Sequence, residues 1–172
     1  MTGKQRLSDL IKLSKPAFVD LLGSIYEHSP WVAEQAYLKL PFESPGHLQE
    51  IMFDIVQAST IDDRLTLIRH HPELAGKEAD EGTLTADSKK EQSRAGLNQC
   101  SAGELKQIRE LNKNYLDKFT FPFVIAVSGL NKHQVIAAMQ ERLQNDYETE
   151  FSTSIKEIGK IARIRLDALM NG

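Results

Sequence analysis

Residues 147–169 read YETEFSTSIKEIGKIARIRLDAL, and their spacing decides the fold. Ile155, Ile158, Ala162, Leu166 and Leu169 recur every three or four residues, with Ile161 at the edge of the set. At about 100° per residue these side chains form one apolar arc on a long helix, which other elements must cover. One residue is out of place. Arg165 falls between Ile158 and Ile161, inside the arc, whereas Lys160 and Arg163 lie nearer the polar side. A guanidinium directed at a core needs a partner, because burying it unpaired is costly. Two readings stand level here. One is a structural ion pair or snorkelling side chain; the other is a fork for a substrate carboxylate.

Upstream, the same helical period returns, punctuated by caps. Ser14, Ser29 and Ser44 each stand one or two residues before a proline, and an apolar-periodic segment follows each time. Serine at the N-cap with proline in the first turn predicts helices over about 16–28, 30–40 and 45–59. Thr60 opens another helix, which stops at His70 and His71 because a residue before proline avoids the α region. Thr85 caps ADSKKEQSRAGL, and SAGE at Ser101–Glu104 is a capping box ahead of Leu105, Ile108, Leu111 and Tyr115. A further helix covers about 132–143. No Asn-Gly hairpin, alternating strand pattern or internal repeat is present. The β-like FPFVIAV has no second strand to join, so it is expected as an extended apolar segment near residues 121–128. The predicted fold is all-α, a single-domain bundle (residues 1–172) of roughly eight helices.

Composition narrows the function classes. The 172 residues are 41% hydrophobic and 26% charged, with a net charge of −3 and mixed signs, which suits a globular domain and not a nucleic-acid binder. A single cysteine, Cys100, leaves no internal disulfide and no cysteine-cluster metal site. The longest apolar run, residues 121–127, is far too short to span a bilayer. The first residues lack the apolar core of a signal peptide, and the chain ends LMNG, not in a Ser-Lys-Leu type of address. A cytoplasmic location is expected.

Two further stretches carry chemistry. In RHHPELAGK (69–77), adjacent histidines run into Pro72, with Gly76 expected to adopt a conformation other residues avoid. Histidine exchanges protons near neutral pH, although a lone loop histidine is more often merely solvated than catalytic. No His-Glu-x-x-His is present and adjacent histidines diverge at a helix end, so a metal site is not expected. In the following helix Ser88, Glu91, Gln92 and Ala95 share one face, while Lys89, Lys90 and Arg94 point elsewhere. That face either holds a small polar ligand or meets water.

Taken in order, HPELAGK, SKKEQSRAGL, FPFVIAVSGL and EIGKIARIRLDAL resemble the 2-oxo-4-hydroxy-4-carboxy-5-ureidoimidazoline (OHCU) decarboxylases of the urate pathway. The resemblance is collinear from about Pro16 to Leu169. It implies an all-helical homodimeric lyase that needs no cofactor or metal and converts OHCU to (S)-allantoin and carbon dioxide. On the matching positions, it implies that His71 is the catalytic acid/base, with Glu91 beside it in the chemistry. It further implies substrate contacts from Pro72, Ser88, Gln92 and Arg165, and from Phe123, Val124, Ile125, Ala126 and Val127, partly through backbone. Thr120 departs from the pattern, because family members often carry glycine there. Physical association with urate oxidase or hydroxyisourate hydrolase is the partner relation the pathway suggests. The competing expectations are a non-catalytic helical interaction module that kept the fold, and an enzyme acting on a related ureido acid.

Overall fold

Five helix starts are built as the caps predict. In the computed structural model, which describes residues 5–170, Ser44 Oγ accepts from the His47 N–H at 3.0 Å and Thr60 Oγ1 from Asp63 at 3.0 Å. Thr85 accepts from Ser88 at 3.2 Å, and Ser14 more loosely from Ala17 at 3.4 Å. At Ser101 the box closes both ways: Glu104 N–H donates to Ser101 Oγ at 3.1 Å, and Ser101 N–H to Glu104 Oε1 at 2.9 Å. Each cap satisfies a donor that the helix leaves unpaired.

Among the described residues the helices are α1 (Leu7–Leu10), α2 (Lys15–Leu22), α3 (Trp31–Tyr37), α4 (Pro45–Ala58), α5 (Ile61–Arg69), α6 (Lys77–Glu81), α7 (Ala86–Arg94), α8 (Ala102–Phe119), α9 (Lys132–Arg142) and α10 (Tyr147–Leu169). A single 3-10 turn spans Leu97–Gln99, and no strand forms among these residues. The all-α expectation holds. The additional helices, α1 and α6, are only four and five residues long, too short to show a period in sequence. Residues 122–127 are extended and irregular, as expected of an apolar stretch with no sheet to join.

Local packing corrects three details. Helix α2 stops at Leu22 instead of running to His28, with Gly23 as its C-cap, where a Cβ would meet the Val19 carbonyl oxygen at 2.5 Å. Ser29 is not an N-cap. Pro30 takes that position in the αR conformation, and Ser29 Oγ instead donates to the Glu27 carbonyl at 3.0 Å. Gly76 has an ordinary φ of −98°; it is needed because a Cβ would meet Glu73 Cβ at 2.7 Å. The left-handed residue in that loop is Ala75, at φ +49°.

The chain packs as two compact units, residues 1–70 with 158–172, and residues 71–157. In the first, Leu10, Phe18, Leu22, Val32, Leu48, Met52, Val56, Leu67, Ile68 and Leu166 are almost fully buried. Gly159 of α10 admits close contact with α4: a Cβ there would lie 2.7 Å from the Phe53 ring. In the second, the core is aromatic. Tyr115 packs against Phe119 (ring centroids 4.5 Å) and Phe123 (5.3 Å), and Phe121 against Tyr147 (5.6 Å). Such pairs contribute about 0.5–1.5 kcal/mol each beyond the area they bury.

Candidate active site

His70 is the C-cap of helix α5, and its N–H donates to the Thr66 carbonyl at 3.0 Å. The two adjacent histidines part company there. His70 is exposed, and in the first unit its Nδ1 lies 3.4 Å from Ser29 Oγ, with its ring edge-on to His28 at 6.2 Å. His71, in the second unit, is buried to 7% exposure and continues into half-buried Pro72.

The loop after Pro72 is clasped by two side-chain amides. Ala75 N–H donates to Gln92 Oε1 at 2.9 Å, and Gln92 Nε2 donates to the Glu73 carbonyl at 3.5 Å. From α8, Asn112 Nδ2 donates to the Leu74 carbonyl at 2.9 Å. A loop buried beside helices has no ladder to satisfy its backbone, and these amides take that part. Burial, reinforced by the nearby Glu78, holds the Glu73 carboxyl above its usual range.

The polar face of α7 is not a solvated one. Ser88, Gln92 and Ala95 are at most 5% exposed, Glu91 is half-buried, and Lys89, Lys90 and Arg94 face solvent. Gln92 is therefore engaged at both amide atoms with the backbone that follows His71 and Pro72. Those two bonds use one of its two acceptor lone pairs and one of its two amide hydrogens.

The apolar segment is held separately. The rings of Phe121 and Phe123 point into the aromatic cluster and are buried, as are Val124 and Val127. Only Ile125 and Ala126 are partly exposed within 121–127. Two side chains hold the backbone: Arg142 Nη1 donates to the Val124 carbonyl, and Ala126 N–H donates to Glu157 Oε1 at 3.4 Å. Thr120, just before the segment, caps α8 in the left-handed region at φ +65°. Glycine there would carry no Cβ penalty, which is the physical sense of the departure noted in sequence.

Arg165 lies in the first unit, with 4% of its side chain exposed. Its Nη2 is 2.8 Å from Glu27 Oε2, whose side chain is 1% exposed, and its Nη1 donates to the Ser24 carbonyl at 3.3 Å. Within its own unit the guanidinium thus has a buried carboxylate partner.

Sequence reasoning missed Asn112, Arg142, Glu150, Glu157 and Glu27. The signal that exposed Arg165 was available for two of them. Asn112 sits on the Ile108–Tyr115–Phe119 stripe, and Arg142 on the Val135–Met139 stripe, each a polar residue at a buried helical position. Among the described residues no group of three or more His, Cys, Asp or Glu side chains is placed to hold a metal ion, and no helix is long and apolar enough to cross a membrane.

Comparison with known proteins gives one family. The model of the OHCU decarboxylase family matches residues 12–167. The 2-oxo-4-hydroxy-4-carboxy-5-ureidoimidazoline decarboxylase of Haloferax volcanii is 38% identical over 160 residues, covering 93% of this chain and 93% of that one. The uric acid degradation bifunctional protein of Bacillus sp. (strain TB-90) is 40% identical over 164 residues, 95% of this chain, but this chain spans only 32% of its length. Among solved structures, that of an (S)-allantoin synthase superposes with a TM-score of 0.76 at 30% identity, covering 96% of this chain and 54% of that one.

Proposed function

The chain belongs to the OHCU decarboxylase family, and from that premise we propose that it is a carboxy-lyase of urate degradation, converting OHCU to (S)-allantoin and carbon dioxide. The observation that carries this reading is the match with the Haloferax volcanii decarboxylase over 93% of both chains. The family model's span of residues 12–167 crosses both units and supports one functional domain over 1–172.

The substrate carries a carboxylate on a ring carbon that also bears a hydroxyl, next to a C=N bond. When the bond to the carboxylate breaks, its electron pair moves into that unsaturation, and a proton is then returned to one face of the ring. The substrate is thus its own electron sink, and the protein supplies orientation, charge placement and proton delivery. His71 is assigned the general acid/base role; its burial, with rigid Pro72 next in the chain, supports a defined direction for the proton. Glu91, half-buried on α7, engages the substrate hydroxyl or polarises His71. Ser88 and the free valences of Gln92 read ureido and ring atoms. Ile125 and Ala126, with the backbone of Phe123, Val124 and Val127, form the wall that keeps water away.

Arg165 orients an anionic or carbonyl edge of the substrate. Its existing bond to Glu27 suits this role, since a guanidinium already half-neutralised grips a departing carboxylate less tightly and stabilises the ground state less. A homodimer and a cytoplasmic location complete the proposal. The bifunctional relative, in which a homologous stretch is part of a longer uric acid degradation protein, supports a working association with another enzyme of that pathway, such as urate oxidase or hydroxyisourate hydrolase.

The test supplies freshly generated OHCU to the purified protein and follows the circular dichroism of the allantoin formed. Enzymatic decarboxylation gives a signal of one sign that rises with protein concentration. Decay at the spontaneous rate to a racemic product would refute the assignment.

A further inference from the structure

The extended stretch 121–127 has no helix or sheet of its own to fix its backbone, yet it is almost wholly buried. What fixes it is a charged network at the junction of α9 and α10. Arg142, the last residue of α9, is 8% exposed, and Glu150 of α10 is fully buried. Arg142 Nε donates to Glu150 Oε1 at 2.9 Å, and Asn145 Nδ2 donates to Glu150 Oε2 at 2.9 Å. Tyr115 donates its phenolic hydrogen to the same carboxylate. Burial first, and that bond second, push the Tyr115 phenol well above its usual range, so it remains a donor.

Arg142 Nη2 donates to the Tyr115 hydroxyl and to Ser154 Oγ, both at 3.4 Å, and the remaining amino group turns to the extended segment. Arg142 Nη1 donates to the Val124 carbonyl, and the guanidinium carbon lies 4.3 Å from the centroid of the Phe123 ring. One planar group thereby grips two consecutive residues, one through its edge and one through its face. A lysine ammonium could replace the charge but not both contacts. A buried ion pair often contributes little net stability over an apolar replacement, so its clearest physical consequence here is geometric.

We propose that Arg142 is a positioning residue for the reaction: held by Glu150, it sets the backbone of residues 123–126 and so the placement of Ile125 and Ala126. The inference rests on the reading that this segment forms a wall of the substrate site. Nothing requires Arg142 to touch substrate; it acts through the Val124 carbonyl and the Phe123 ring, while Glu157 holds the Ala126 N–H on the other side.

The experiment compares the full-length protein with its Arg142→Lys and Arg142→Gln variants, using steady-state turnover of OHCU and hydrogen exchange of the peptide covering 121–127. Lysine retains the charge opposite Glu150, so the fold is expected to survive in that variant even where glutamine unfolds it. Arg142→Lys should lower kcat about ten- to hundredfold, since a misplacement of about 1 Å can cost that much, and change KM far less. Exchange at 121–127 should quicken while that of α8 stays as in the wild type. Wild-type kcat in a folded Arg142→Lys protein overturns the proposal, and so does a lowered kcat with unaltered exchange in the segment. A wild-type protein that fails to turn over OHCU refutes the functional reading instead; the exchange data then decide separately whether Arg142 sets the segment.

Discussion

Variants at Glu27 and Arg165 separate the ion pair of Arg165 from its proposed contact with substrate. The pair lies at 2.8 Å with side chains 4% and 1% exposed, so its charges are almost completely withdrawn from water. Removing the carboxylate leaves the guanidinium buried without this counter-ion, although Nη1 still donates to the Ser24 carbonyl at 3.3 Å. Breaking a buried pair in this way costs about 3–5 kcal/mol, because the remaining charge stays desolvated. For a chain of this size each kcal/mol moves the melting temperature by about 2–4 °C, so Glu27→Ala should melt roughly 6–20 °C below wild type. Removing both charges is different in kind. The double variant Glu27→Leu/Arg165→Met puts apolar groups where the ions were and should recover most of that loss, as replacements of buried pairs commonly do. Thermal melts give the stability, and OHCU turnover of each variant below its melting point gives the activity. Stability should return in the double variant, and on the proposed role of Arg165 turnover should not. A Glu27→Ala protein within about 1 kcal/mol of wild type would refute the buried pair as an energetic unit. Near-normal turnover by the double variant would refute Arg165 as a substrate contact.

Three other outcomes are expected. His71→Ala should lower kcat by about 10²–10⁴-fold, as loss of a general acid/base does, whereas His70→Ala should cost little; equal losses would undo the distinction between the two histidines. Thr120→Gly should raise the urea midpoint, because a β-branched residue at φ +65° pays about 1–2 kcal/mol that glycine avoids, less about 0.5–1 kcal/mol for glycine's greater chain entropy. Glu104 should make stability fall at acid pH. Its hydrogen bond from Lys132 and its cap bond to Ser101 N–H hold its pKa at about 2, below the ordinary glutamate value of 4.5, so the folded state favours the carboxylate. The stabilisation is complete above the unfolded value and is lost as pH falls from there toward about 2. Melts of wild type and Glu104→Gln should therefore converge in that window and diverge above it.

How legible the protein was depended on the range of the interaction concerned. Ser44 with His47, Thr60 with Asp63 and Ser101 with Glu104 are three residues apart, and a helix start brings such neighbours together whatever the rest of the chain does. The helical period is equally local, so the all-α class, the α7 face and the anomaly at Arg165 could all be read without coordinates. Ser29 shows the limit even at short range. A proline can serve as first helical residue or as N-cap, and packing around Gly23 and Pro30 chose the latter. That Arg165 meets a protein carboxylate depended on where the fold puts Glu27 and Ser24, the latter 141 positions away. The clasp of the His71 loop by Gln92 and Asn112, and the grip of Arg142 on Val124, are of the same kind. Periodicity tells which side chains leave water, because that follows from the geometry of one helix. Which partner satisfies a buried polar group depends on which elements meet, and only the tertiary structure decides that.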